Sequence, residues 1–167
     1  AVETLSQIVA DRDASNPLVT LENAVIQAGQ AVHQQSIQDE TKQGMGSTCV
    51  CAWVIGKRLY IVSVGDSRIY LLRGDQILQI TTDHTWVQEA VQHGIITPDQ
   101  VRGHPQSHII RRYLGSEKPT EPDFRLRLHA EESEDETLAN QGMELLPGDK
   151  LLLCSDGLSD LVEEPEI

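Results

Sequence analysis

The 167-residue sequence predicts a single α+β domain, on three observations. Leu21, Val25, Ala28 and Val32 recur at spacings of four, three and four, an apolar stripe of helical period. From Thr48 onward the period shortens to that of β-strands, in runs rich in β-branched and aromatic residues. The elements then follow in the order helices, strands, helices, strands, which suits segregated layers better than alternating βαβ units. A chain of this length buries one core, and 39% apolar residues argue against disorder throughout.

Residues 2–10 read as a helix, with Leu5, Ile8 and Val9 apolar, and residues 11–17 as a polar, proline-containing connector. Thr20 caps a second helix over residues 21–38, after which Asp39-Glu40 opens a polar stretch. Residues 48–55 form a strand, Gly56-Lys57 a turn, and residues 58–64 a second strand. Both parities of that second strand are apolar, Leu59 and Ile61 against Tyr60 and Val62, as a sheet covered on both faces requires. Gly65-Asp66-Ser67 interrupts, residues 69–72 resume, Arg73-Gly74-Asp75 turns and residues 76–80 return, so the four strands read as an antiparallel meander. Asp83 caps a helix carrying Trp86, Val87, Ala90 and Val91, which Gly94 ends, and Thr97-Pro98 starts another short helix. Phe124, Leu126 and Leu128 alternate with Arg125, Arg127 and His129 as a half-exposed strand. Residues 131–136, five of them acidic, read as a solvated loop. Residues 143–146 form a strand, Pro147-Gly148-Asp149 a turn, residues 150–154 a buried strand, and a short helix begins near Leu158.

Thirteen basic residues face 26 acidic ones, a net charge of -13. A negative field of that size repels phosphate backbones and anionic lipid, so neither nucleic acid nor a membrane is an expected partner. Carboxylate-rich chains do suit hard cations such as magnesium and manganese. Cys49, Cys51 and Cys154 form neither a disulfide framework nor a zinc set and read as small core residues in a reducing, cytoplasmic setting. No run approaches the roughly 18 apolar residues of a membrane helix, and the acidic N-terminus is not that of a signal peptide. The chain starts at Ala1 and stops at residues 163–167 within an expected secondary element, so both ends read as cut.

Two aspartates stand out by position. Asp66 follows the strand over residues 59–64, and Asp156 follows the strand over residues 151–154, each beside a glycine. If those strand ends are neighbours, two carboxylates converge, and such a pair either raises a pKa or binds a cation. The alternative is that each simply caps a turn or helix. Gly44-Met45-Gly46-Ser47-Thr48 lacks the lysine and the strand-to-helix setting of a phosphate loop and reads as a flexible entry into a strand. Arg111-Arg112 can grip phosphate or pair with surface acids. His84, in Thr82-Asp83-His84-Thr85, is by itself a helix-start or packing residue.

Taken in order, Gly44-Met45-Gly46-Ser47-Thr48, Val64-Gly65-Asp66-Ser67-Arg68-Ile69-Tyr70, Gln79-Ile80-Thr81-Thr82-Asp83-His84-Thr85 and Cys154-Ser155-Asp156-Gly157-Leu158 resemble the metal-dependent serine/threonine protein phosphatases of the PPM, or type 2C, family, in its bacterial branch. The resemblance implies a four-layer α/β/β/α sandwich of antiparallel sheets flanked by helices, with residues 83–115 as a flap beside the site. It implies hydrolysis of phosphoserine and phosphothreonine on proteins by water activated at two or three Mn2+ or Mg2+ ions, with no protein nucleophile. On the matching motifs, Asp156 and Asp66 are metal ligands, and His84 and Arg111 contribute to the flap and substrate access. Phosphorylated proteins and a Ser/Thr kinase system are the implied partners.

The family's Asp-Gly-Met-Gly-Gly segment, early acidic ligand, late Asp-Asn pair, phosphate-contacting arginine and general-acid histidine are not in the 167 residues. The chain is therefore expected to be the middle of a phosphatase domain, incomplete at both ends and inactive or weakly active alone. Open sheet edges would then favour self-association. The alternative function is a catalytically inactive, phosphatase-like binding or regulatory module.

Overall fold

Strand β2 (Arg58–Val64) organises the structure because both of its faces are apolar. In this computed structural model, which describes residues 1–11 and 15–162, β1 (Cys49–Ile55) pairs antiparallel with β2 along its whole length, from Cys49↔Val64 to Ile55↔Arg58. The short β5 (Met143–Glu144) pairs with the other edge of β2, giving the order β1-β2-β5. A second sheet has the order β4-β3-β6, with β3 (Arg68–Arg73) central between β4 (Gln76–Gln79) and β6 (Lys150–Cys154). Leu59 and Ile61 on one face of β2 meet Ile69, Leu71, Ile80 and Leu126 in a core between the sheets. Val62 and Val64 on the other face meet Leu21, Val25, Ala28 and Val32 of helix α2 (Pro17–Gln38). Helix α1 (Val2–Asp11) packs along α2 and adds Leu5 and Val9 to that second core.

The described residues thus form three layers: helices, first sheet, second sheet. The outer helical layer expected on the second sheet is not among the described residues; only the single-turn helix α5 (Asp156–Ser159) adjoins β6. The meander reading also changes. β2 and β3 do not pair but belong to different sheets, and Gly65-Asp66-Ser67 is the crossover between them. An apolar strand face can be satisfied by a stacked sheet as well as by an adjacent strand, which periodicity does not distinguish.

Local chemistry explains the remaining differences. The α2 N-cap is Asn16, whose Oδ1 accepts from the Val19 N–H at 3.5 Å, with Pro17 in the first turn; Thr20 is buried in that turn. Helix α3 (Trp86–Gln92) is capped by Thr85, whose hydroxyl accepts from the Gln88 N–H, while Asp83 is engaged elsewhere. Gly94, at φ +66°, ends that helix as expected, and the helix after Thr97 is one 3-10 turn, Pro98–Gln100. Residues 124–128 join no ladder. Leu126 and Leu128 enter the inter-sheet core and Phe124 the helix-side core, so the alternation records burial of an extended strap. The acidic run contains helix α4 (Glu134–Ala139), where Ser133 and Glu136 form a capping box. β6 is an exposed edge rather than a buried strand, with Leu153 44% exposed. Residues 163–167, and part of the 11–17 connector, lie outside the described residues.

All three cysteines are free and half-buried, and burial pushes their thiols up, Cys51 to about 11. No described helix is long and apolar enough to cross a membrane.

Leu59, fully buried between the sheets, and Leu153 should respond differently to truncation. Urea unfolding is expected to show a loss of about 2–5 kcal/mol for Leu59→Ala and less than about 1 kcal/mol for Leu153→Ala. Equal losses would contradict the stacking of the sheets on β2.

Candidate metal centre at the paired ends of β3 and β6

The site follows from strand register. β3 and β6 pair antiparallel from Leu72↔Lys150 to Arg68↔Cys154. Continued by two residues, that register sets Asp66, just before β3, opposite Asp156, just after β6. Both aspartates line one cavity of about 680 Å³, together with Asp160 from the end of α5. Its facing wall comes from the excursion between α3 and residue 110, including Val101, Arg102 and His108. The base of that excursion is closed by the Thr85↔Ile110 bridge, and Trp86 stacks on His104 with ring centroids 5.2 Å apart. His108 Nδ1 reaches across to Asp160 Oδ2 at 3.5 Å.

The Asp66 loop needs glycine at residue 65 for two reasons. Its φ is +104°, and a Cβ there would lie 2.4 Å from Thr48 Cγ2. Thr48 in turn hydrogen-bonds Ser67 through their hydroxyls at 2.7 Å, fixing the far side of the loop. This gives the Gly44–Thr48 segment its use: it delivers a side chain to the crossover, and Ser47 bridges Leu114 on entry to β1.

Electrostatics favour a cation. Burial raises the Asp66 carboxyl above its ordinary value; a backbone hydrogen bond opposes this, and the charges of Asp156, Asp83 and Asp160 push it further up. Arg68, which also lines the cavity, is committed to Asp83: its Nε lies 3.1 Å from both carboxylate oxygens and its Nη2 2.7 Å from Oδ2. Gln79 Nε2 donates to the same carboxylate at 2.8 Å, so Asp83 serves the fold of the wall. Among the described residues no group of three or more metal-binding side chains is assembled. Asp66 and Asp156 nonetheless fit magnesium or manganese in donor type, since hard oxygens suit these ions and a cation relieves their mutual repulsion. Water, a substrate phosphate or groups outside the described residues would have to complete an octahedral shell.

The structure brings Asp66 and Asp156 together but not His84 and Arg111. His84 is 4% exposed and bonded inside the protein, so it has no open face for substrate. Arg111 donates to Glu89 at 3.1 Å and lines a separate shallow groove beside Arg112 and Tyr113. Asp160, Arg102 and His108 were not among the sequence candidates. Asp160 was within reach, because it follows Asp156 by four residues and one helical turn sets such residues side by side. Arg102 and His108 lie in loops with no periodic signal.

The raised Asp66 pKa carries a sign. The folded state holds this proton more tightly than the unfolded chain, so stability falls as pH rises from 3.8 through the folded value. Asp66→Asn is therefore expected to raise the melting temperature of the metal-free protein at neutral pH, with the gain shrinking toward pH 3.8. Calorimetry showing a lower melting temperature for this variant at neutral pH would contradict the reading.

The family profile "Protein phosphatase 2C" matches residues 2–90. The serine/threonine protein phosphatase PstP of Mycobacterium tuberculosis is 36% identical over 166 residues, covering 99% of this chain and 29% of that protein. Its crystal structure superimposes with a TM-score of 0.80 over 99% of this chain and 63% of the solved one. A structure of the PstP catalytic domain in complex with two manganese ions gives a TM-score of 0.74 at 34% identity, over 98% of this chain and 61% of that one. The chain thus spans less than two thirds of these relatives, and the profile match over residues 2–90, the identity and the shared fold agree: it belongs to the protein phosphatase 2C family.

Proposed function

We propose that the protein containing this chain hydrolyses phosphoserine and phosphothreonine in proteins, using water as nucleophile and Mn2+ or Mg2+ as cofactor. The observation that carries the reading is the convergence of Asp66 and Asp156 on one cavity at the paired ends of β3 and β6. Asp156 and Asp66 are the chain's metal ligands in this proposal. Bound ions supply Lewis acidity, which activates the attacking water and offsets phosphate charge. The chain's own part is to aim the two carboxylates and to wall the cleft. No residue of the chain is assigned as nucleophile or general acid.

Residues 83–115 act as a flap within a single domain. Its base is tied by the Thr85↔Ile110 bridge and by the Arg111 N–H, which donates to the His84 carbonyl at 2.7 Å. Arg111 shapes substrate access by holding α3 through Glu89, and His84 contributes by accepting the Arg111 N–H at the flap base. Phosphorylated proteins made by a Ser/Thr kinase are the substrates, in the cytoplasm, where three free thiols persist. The isolated 167-residue chain self-associates through its open edges, because β1 and β6 flank an apolar groove containing Leu5, Val50 and Leu153. Light scattering that shows only monomer at high concentration would contradict that last point.

A second reading, a catalytically inactive binding or regulatory module, is favoured by one observation: no three-ligand group among the described residues. Hydrolysis of p-nitrophenyl phosphate with manganese separates the two. The full-length protein should be active and the 167-residue chain far weaker, and Asp156→Asn should cut the full-length activity on the order of 10²-fold. An inactive full-length protein, or full activity in Asp156→Asn, would overturn the enzymatic reading.

A further inference from the structure

We infer that His84 is a positioning residue for Asp66, holding the crossover loop through an imidazole of fixed tautomer. The inference rests on the proposed role of Asp66 as a metal ligand.

His84 grips the residue before Asp66 twice. Its backbone N–H donates to the Gly65 carbonyl at 3.0 Å, and its ring Nδ1 accepts from the Gly65 N–H at 2.9 Å. Both polar groups of Gly65 are therefore held by one residue 19 positions away. A ring nitrogen that accepts carries no proton, so the hydrogen sits on Nε2, which donates to Asp123 Oδ2 at 2.9 Å. Asp123 is kept as an acceptor. Burial raises its carboxyl, but hydrogen bonds from His84 and from Arg125, whose Nε lies 2.8 and 3.0 Å from the two oxygens, carry it well below the usual carboxylate range. Asp123 is itself fixed to β2, exchanging two backbone hydrogen bonds of 2.9 Å with Ser63.

The relay Arg125–Asp123–His84–Gly65 is interior, with the His84 and Asp123 side chains 3% and 5% exposed. Buried polar chains are costly where apolar residues of similar volume would pack as well, so stability alone gives no reason for this one. What it provides is direction. Carboxylate–imidazole pairs orient a functional group by locking the ring that touches it. Here the ring holds the Val64–Gly65 peptide, one unit before Asp66, while the His84 backbone N–H holds the Gly65 carbonyl of the next. The His84 carbonyl meanwhile accepts from Arg111, so the same residue anchors the base of the facing wall.

Two substitutions separate aiming from packing. In His84→Asn the amide oxygen takes the place of Nδ1 and still accepts from Gly65, but the side chain falls short of Asp123. In His84→Gln the longer side chain reaches Asp123 and leaves the Gly65 N–H unmet. In the full-length protein, titration calorimetry with manganese alone is expected to show affinity weakened about 10- to 100-fold in His84→Gln. That affinity should be largely recovered in His84→Asn, although both variants melt below the wild type. Equal manganese affinities in the two variants would overturn the inference. Nitrogen NMR of the unmodified protein tests the tautomer without any substitution: a proton on Nε2 only is expected, and a proton on Nδ1 would overturn the inference. Asp66→Asn run alongside distinguishes the two claims. If it leaves manganese binding unchanged, the ligand role of Asp66 falls and the positioning role with it. If it weakens binding while the Asn and Gln variants match, only the positioning role falls.

Discussion

The pairing of β3 with β6 is the constraint on which the site depends. An antiparallel ladder fixes which residues face each other at its end, and here the end residues are Arg68 and Cys154. The chain cannot leave those strands without bringing Asp66 and Asp156 to the same corner. That corner is available because β2 and β3 lie in different sheets, so the loop joining them must cross the edge of the sandwich instead of turning back beside its neighbour. Gly65 makes the crossing at positive φ against Thr48, where any side chain would collide. The sheet crossover and the candidate centre meet in three residues, Gly65, Asp66 and Ser67.

The candidate centre is arranged against its own local stability. Burial and three neighbouring carboxylates disfavour charge on Asp66. The arginine on the adjacent strand, which could have neutralised it, is bound instead by Asp83 and Tyr70. A carboxylate pair whose adjacent arginine is engaged elsewhere is suited to accept a cation from solution. The support comes from behind: the inter-sheet core holds β2 and β3, and the His84–Asp123–Arg125 chain holds the loop they frame.

Much of this was legible in the sequence, for identifiable reasons. The helix stripe at Leu21, Val25, Ala28 and Val32 is buried as its period demands. The two-sided β2 was recognisable because both parities are apolar, and the aspartates because each follows a strand beside a glycine. What could not be read was non-local. Whether β2 and β3 share a sheet depends on stacking, which leaves no periodic trace. The strap at residues 124–128 alternates like a strand although only core contacts, not ladder bonds, impose the pattern. The Ser133–Glu136 capping box was in plain view but masked by a run of acids that resembles solvated loop. His84 carried a family motif, yet its buried partners lie 19 and 39 residues away.

The central claim is that Asp66 and Asp156 face one cation-binding corner. Substoichiometric manganese broadens NMR signals by proximity alone. With the backbone assigned, the amides of Asp66 and Gly157 should vanish together at the first additions, while Gly148, in the turn at the opposite end of β6, stays sharp. Broadening at one aspartate without the other, or at neither, would contradict the account.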